Sequence, residues 1–433
     1  MRRNLLLNFI YKKNSESAED QLFIDYLHFN LNNEIYSFGF QFKNPSEYKK
    51  SIKDLLKFKI IHFGIRTYAL LFSCIKRNPE TNVILSSAYF NVNIKSEFKD
   101  YIILSPPWIF GKNQKYFEYS FFKETLLVRS KLSGDFKELI NSDFISLAKR
   151  YKISFKHYIL KYKISALFLP QDVGFFEKIA IDVFKELNLP TFNFIHGLPG
   201  IYNDIDYNRT DYLVVWGESI KNNFIKAGFN ASKIIVSGHP KYNNIPSSIG
   251  KKLRFELHDI LVLTKSLNGS QFSNRVILGD RSNLIYYLLS IKKVLEKFGV
   301  KKVRLRPHPS ENIEWYYKYI DEKFFTRDYP NLGSSLKHST LVIGGTSTTF
   351  LEALIEGVNY VVYEPLIGIN KLVDGFCPVA PFDGSDKKVP VAKSVDELEE
   401  ILEKKKFVDV TVLSDYISNE FNTDAILNLI KTN

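Results

Sequence analysis

The chain has 433 residues, 45% of them hydrophobic, with 59 Lys and Arg against 47 Asp and Glu, a net charge of +12. That length suits two domains of ordinary size, and with only 21 Gly, 16 Pro and no low-complexity stretch, long disordered linkers are excluded. The positive surplus fits anionic small substrates or an anionic membrane surface. Its dispersal along the chain, without any zinc-finger, helix-turn-helix or RNA-binding signature, sets nucleic acid aside.

Cys74 and Cys377 are the only cysteines, too far apart for a disulfide framework or a metal spacing, and they favour a reducing cytoplasm. The start, Met1 to Ile10, is basic but lacks the length and cleavage site of a secretory signal. No window reaches the roughly 18 apolar residues of a spanning helix. The expectation is a cytoplasmic protein, able to rest on the inner face of the plasma membrane.

In chain order, Leu22 to Phe29 and Glu47 to Leu56 read as helices. Lys59–Phe63, Asn82–Ser86 and Tyr101–Ser105 are short apolar runs closed by turn residues and read as buried strands. Asp135 to Lys163 reads as one or two helices, and Ala166–Leu169 as a buried strand stopped by Pro170. A β/α rhythm then sets in. Helix 175–187 is followed by strands Thr191–Ile195 and Tyr212–Val215, a helix through Ala227, and strand Lys233–Val236. The polar stretch Tyr242 to Lys252 is the best linker. A second half restarts with strand Asp259–Leu263, a helix from Asn283 to Phe298, and strands Lys302–Arg306, Thr340–Ile343 and Tyr360–Tyr363. Val395–Lys405 and Asp415–Asn433 read as terminal helices. The fold class is therefore α/β, two tandem Rossmann-like domains with an inter-domain cleft. The bounds are 1–245 for an acceptor-side domain, 253–410 for a nucleotide-side domain and 411–433 for helices near the junction.

In such sheets the loops after the strands line one crevice. Two of them carry anion chemistry. Arg306-Pro307-His308-Pro309 ends one strand, with Glu311 close behind, and the prolines restrict the imidazole's direction. Gly344-Gly345-Thr346-Ser347-Thr348 opens a helix, where backbone N–H groups and hydroxyls favour phosphate, and the paired glycines let a ligand approach. Lys265 and Ser266, in the first loop of the second half, can reach the same phosphate. In the first half, Asp172 follows a buried strand and could serve as a general base or a nucleophile, or merely cap the next helix. His196 in His-Gly-Leu-Pro-Gly could orient a substrate, whereas His239 in Ser-Gly-His-Pro reads as a structural turn. Glu356 and Glu364 stand eight apart, but on a helix end and a strand end, and the spacing reads as coincidence. No Cys/His cluster, Asp-x-Asp, Walker loop or nucleophile elbow is present, so no metal or further cofactor is expected.

These loops together resemble the GT-B glycosyltransferases, and more narrowly the bacterial sialyltransferases and Kdo transferases that use CMP-activated sugars. Their His-Pro and Ser/Thr motifs match His308-Pro309 and Ser347-Thr348, and the resemblance implies that these residues contact the CMP phosphate. It makes Asp172 the matching position of the catalytic acidic residue, although Gln171-Asp172-Val-Gly departs from the sialyltransferase acidic pair. The block from His196 to Pro240 is also similar to capsule-assembly proteins and to teichoic-acid polymerases that use CDP-glycerol. The resemblance implies a nucleotide-activated sugar as donor and a glycan or lipid-linked glycan of the bacterial surface, lipopolysaccharide or capsule, as acceptor.

Overall fold

The computed structural model describes residues 82–89, 94–109, 118–132, 142–204, 207–242, 252–264, 281–309, 313–365 and 378–432, with short pieces and single positions between them. Lys265, Ser266, both cysteines, the centre of the linker and most of the first 80 residues lie outside the described set.

The first half contains β1 (Val83–Ser86), β2 (Ile102–Leu104), α1 (Tyr119–Leu132), α2 (Ser142–Lys161), β3 (Ile164–Leu169), α3 (Phe175–Glu186), β4 (Thr191–Phe194), β5 (Tyr212–Val215), α4 (Glu218–Lys226) and β6 (Ile234–Val236). The strands pair in the order β2-β1-β3-β4-β5-β6, every pair parallel. A parallel sheet is covered on both faces, which is why these strands read as continuous apolar runs rather than alternations. Leu85, Leu167 and Leu169 pack beneath the layer of α1, α2 and α3. Ile84, Ala166, Phe168 and Phe194 fill the opposite face. Helix α3 shows the local logic. Its apolar residues at 175, 176, 179, 180, 183 and 184 form one stripe, and Asn188, at φ +53, ends it in the left-handed region.

The second half contains β7 (Ile260–Leu263), a small antiparallel pair β8 (Gln271–Phe272) and β9 (Arg275–Val276), α5 (Arg281–Lys297), β10 (Val303–Arg306), α6 (Ile313–Tyr316), β11 (Phe325–Arg327), α7 (Leu332–His338), β12 (Leu341–Gly344), α8 (Thr349–Ile355), β13 (Asn359–Tyr363), β14 (Val391–Ala392) and α9 (Val395–Glu403). Its main sheet runs β11-β10-β7-β12-β13-β14, again all parallel. Numbered by appearance within that sheet, the order is 3-2-1-4-5-6, the order of dinucleotide-binding domains. The chain reverses direction across the sheet between β7 and β12, so the crevice opens beyond Leu263 and Gly344. Two tandem Rossmann-like halves are thus the architecture, the GT-B type of arrangement expected.

The C-terminal segment ties the halves together through α10 (Val412–Tyr416) and α11 (Asp424–Thr432). Leu413, Tyr416 and Ile417 join a core shared by Trp216 and Phe224 of the first half and Phe350 and Tyr360 of the second. The Ser418 N–H then donates to the Trp216 carbonyl at 2.7 Å, and the Asn422 N–H to the Ser237 carbonyl at 2.8 Å. Phe421, Ile426 and Ile430 finally cover the first sheet.

Several expectations need correction. Ile60 and Phe63, read as part of a buried strand, have helical backbone and are 66% and 72% exposed. Apolar runs of that length suit a helix or a strand equally well. The stretch 415–433 is broken, because residues 418–422 extend to bond the first half. Helix α1, β11 and α7 were not foreseen from their residues.

Candidate functional site

Three strand-end loops border the crevice, and backbone and side-chain bonds fix their shapes. The His196 loop follows β4, and the Thr346–Thr348 loop follows β12. They touch directly: the Leu198 N–H donates to Thr348 Oγ1 at 3.0 Å. A Cβ on Gly197 would lie 2.8 Å from that same oxygen, so glycine is what lets the two halves approach here. His196 itself is exposed, and its Nδ1 lies 2.9 Å from the Pro170 carbonyl at the end of β3. A carbonyl only accepts, so Nδ1 carries the proton. In the neutral ring Nε2 is then the basic atom.

The Thr346–Thr348 loop divides its donors. Thr346 gives both its N–H (2.5 Å) and its hydroxyl (2.7 Å) to Glu364 Oε1, a fully buried carboxylate at the end of β13. Thr346 is therefore a loop anchor rather than a phosphate donor, which corrects the sequence expectation. Ser347 Oγ accepts the Thr349 N–H at 3.2 Å, and Thr348 Oγ1 accepts from Leu198. These bonds use neither hydroxyl proton, nor the backbone N–H groups of Ser347 and Thr348. The Gly-Gly pair also has another cause than ligand approach. A Cβ on Gly344 would fall 2.2 Å from the Tyr360 hydroxyl, which donates to the Gly345 carbonyl at 2.6 Å.

The third loop, from Arg306 to Glu311, is shaped from beneath. Thr264 at the end of β7 offers Oγ1 to the His308 N–H at 3.1 Å and donates its own proton to Glu311. Glu311 also takes the His308 N–H at 3.1 Å and the Tyr316 hydroxyl at 2.8 Å. Glu311 thus braces the loop, three internal donors meeting its carboxylate. Pro309 and the His308 ring face outward, and neighbouring protein lowers the His308 pKa by desolvation, which keeps the ring neutral near pH 7. β10 and β12 flank β7, so this loop stands two strand spacings, about 10 Å, from the Thr346–Thr348 loop.

Two charged residues are not where the sequence suggested. Arg306 turns away from the crevice: its guanidinium binds Asp328 at 2.6 Å and the carbonyls of Tyr329 (2.8 Å) and Pro330 (3.2 Å). Asp328 is nearly buried and collects Arg304 as well, at 2.9 Å, so both arginines neutralise one carboxylate. Asp172, expected to face an acceptor, has a side chain only 2% exposed. It accepts the Arg209 N–H at 3.1 Å and lies 3.8 Å from the Arg209 guanidinium. A buried carboxylate requires such compensation, and here it fastens the connection between β4 and β5 over the end of β3.

His239 is the structural residue it was read to be. It is buried among Tyr89, Trp216 and Tyr242, with ring centroids 4.5, 4.8 and 4.6 Å away. Its Nδ1 accepts the Lys241 N–H at 3.0 Å, and burial pushes its pKa down to about 3. Just beyond it, Lys241 and Tyr242 both reach Glu352 on α8, a second link between the halves. Sequence reasoning missed Glu364 and Thr264. Both are polar residues one step past a strand, and that position was the available signal.

Among the described residues no three His, Cys, Asp or Glu side chains gather as metal ligands, and no helix is long and apolar enough to cross a membrane. A hollow of about 380 Å³ lined by Asp259, Arg304, Asp328 and Tyr329 lies on the β10–β11 flank, and none of the crevice loops lines it.

The pairing of two doubly wound halves places the chain, by architecture, among tandem Rossmann-like proteins. No family model matches the sequence, and no curated protein does. Solved structures similar in shape include the UDP-GlcNAc 2-epimerase of Methanocaldococcus jannaschii, with 13% identity, 82% of this chain and 99% of that one covered, and a TM-score of 0.46. The epimerase of Neisseria meningitidis bound to UDP-GlcNAc has 11% identity, with 82% and 100% covered and a TM-score of 0.44. The wall teichoic acid polymerase TagF has 13% identity, with 90% and 98% covered and a TM-score of 0.40. At such distances the strand order of the chain itself, rather than any one relative, defines the fold.

Proposed function

We propose that the protein is a nucleotide-sugar-dependent glycosyltransferase of surface-glycan assembly, using a CMP-linked, Kdo- or sialic-type donor. The observation that carries this reading is the docking of the His196 loop on Thr348, which brings the loop that carries a basic imidazole nitrogen against the Ser/Thr loop. In this reading Ser347 and Thr348 hold the departing phosphate through backbone N–H groups and hydroxyls, charge stabilisation of the kind that dominates such transfers. His308 borders the same crevice as a neutral donor, with Lys265 and Ser266 assigned to the β7 side of it. His196 Nε2 takes the acceptor hydroxyl proton as its oxygen attacks the anomeric carbon and CMP leaves. Direct displacement of this kind inverts the anomeric centre. Asp172 acts from behind, as a positioning residue that holds the β4–β5 connection through Arg209.

The close contact between the His196 loop and Thr348 also favours a second reading, attack at phosphorus with a CDP-polyol as donor. The acceptor in either case is a glycan or lipid-linked glycan met at the cytoplasmic face of the membrane. Thermal shift against CMP, CDP and UDP separates the readings from a third, a binding module without nucleotide. Cytidine nucleotides should raise the melting temperature, and His308→Ala should reduce that shift. His196→Ala should keep the shift while losing transfer by about 10²–10⁴-fold. Stabilisation by UDP but by no cytidine nucleotide would refute the donor assignment.

A further inference from the structure

Helix α2 packs its inner face, including Phe144, Tyr151, Phe155 and Ile159, beneath α1 and α3. Its outer face is less ordinary. Ile153 and Leu160, two turns apart and so on the same side, are each 59% exposed, where a solvated helix face would carry polar residues. Arg150 and His157 are exposed between and beside them. Over its whole length α2 carries Lys149, Arg150, Lys152, Lys156 and Lys161 against one acid, Asp143. Neighbouring Glu186 meets Lys152 and Lys156 at 2.9 and 3.0 Å, and Glu118 meets Lys161 at 3.5 Å, but the acids remain outnumbered.

We propose that this outward face, Arg150-Ile153-His157-Leu160 with its flanking lysines, is the surface by which the chain rests on an anionic lipid bilayer. Exposed aliphatics within a net positive surface match an interfacial contact: the apolar side chains enter the boundary of the acyl region while the cations meet headgroup phosphates. A protein partner is the poorer match, since interface centres are depleted in lysine. The same half exposes Phe63 (72%) and Leu71 (61%), from a stretch, Leu55 to Pro79, with five basic and no acidic residues. Helix α2 leads into β3 and therefore runs alongside the sheet, so contact through its side leaves the strand-end crevice open to both donor and acceptor. This surface is independent of the donor assignment and concerns where the enzyme works, not what it transfers.

The test is co-sedimentation of the full chain with vesicles of phosphatidylglycerol and phosphatidylcholine, compared with phosphatidylcholine alone. Binding should require the anionic lipid and weaken with added salt. Ile153→Ser/Leu160→Ser should lower the apparent partition at least about fivefold, and Arg150→Glu should lower it further. Adding Phe63→Ser and Leu71→Ser should remove most of the remainder. All these positions are exposed, so circular dichroism and the cytidine thermal shift should match the wild type in each variant. Wild type that ignores anionic vesicles, or Ile153→Ser/Leu160→Ser that binds them undiminished, overturns the proposal. So does a concentration-dependent dimer that the same pair of substitutions abolishes, which would assign the face to a second copy of the chain. If vesicle binding fails while the nucleotide shift persists, only the surface is lost.

Discussion

At the scale of single residues, the fate of each charged or titratable group follows from what compensates it. His239 makes the clearest case, because its environment admits only the neutral ring. Its folded pKa of about 3 lies below the unfolded value of 6.5, so the stability it contributes is complete above pH 6.5 and is lost as the pH falls toward 3. The unfolded chain binds one more proton in that window, a slope of about 1.4 kcal/mol per pH unit. His239→Asn removes the titration while its amide oxygen can still accept the Lys241 N–H. The urea midpoint of the wild type should therefore fall more steeply between pH 6 and 4 than that of the variant, even though the variant starts lower for want of ring packing. Parallel curves would mean that protonation of His239 is not what the acid limb reports. The same reasoning explains which sites could be read beforehand. The strand-end loop positions of His196, His308 and Ser347 were legible because a place after a strand is a local property. The fates of Arg306 and Asp172 were not, since Asp328 and Arg209 lie 22 and 37 residues away and only the folded chain brings them close.

At the scale of elements, sequence periodicity located the parallel strands closely: Tyr212–Val215 coincides with β5, and Lys302–Arg306 overlaps β10 to within one residue. β5 is marked by its apolar run, whereas β10 is marked by alternation, buried Val303 and Leu305 between half-buried Arg304 and Arg306. β11 was missed because Phe325-Thr326-Arg327 carries no apolar run, unlike β2 and β6, edge strands of the same length that are Ile-Ile-Leu and Ile-Ile-Val. Loop-to-loop contacts were equally invisible, and the one that matters most is Gly197 against Thr348. Gly197→Ala should push the His196 loop off Thr348, since the new Cβ meets Oγ1 at 2.8 Å. Thr348→Val keeps the volume but removes the acceptor of the Leu198 N–H, at a cost of about 1–3 kcal/mol for the stranded donor. Gly197→Ala should lose turnover more than nucleotide affinity if the contact aligns base and phosphate, whereas Thr348→Val, which also removes a proposed phosphate-binding hydroxyl, should lose both. Equal losses in kcat and in the nucleotide-induced shift for Gly197→Ala would show that the contact merely holds the protein together.

At the scale of the molecule, the question is what keeps two separately built sheets in one register across the crevice. Among the described residues the links that cross include Leu198 to Thr348, the Tyr202 hydroxyl to the Ala380 carbonyl at 3.5 Å, Lys241 and Tyr242 to Glu352, and the C-terminal segment. The last is the most extensive, and its path leaves no room for error. Gly217 is required because a Cβ there would meet the Tyr416 carbonyl carbon at 2.4 Å, and Gly238, at φ +76, because a Cβ would meet the Glu420 carbonyl oxygen at 2.3 Å. Removing residues 418–433 deletes the bonds to Trp216 and Ser237 and uncovers the face that Phe421, Ile426 and Ile430 bury. Three such side chains represent about 5–9 kcal/mol of burial as an upper bound. The first half bears that loss, whereas β7 to α9 keep their own core, so calorimetry of the truncated chain should split one transition into two, the earlier belonging to residues 83–242. Gly238→Ala should produce a milder form of the same split, because it displaces the segment without deleting it. A truncated chain that still melts in a single transition would instead assign the coupling to the Glu352 clamp, and Lys241→Ala/Tyr242→Phe would then be the variant that separates the halves.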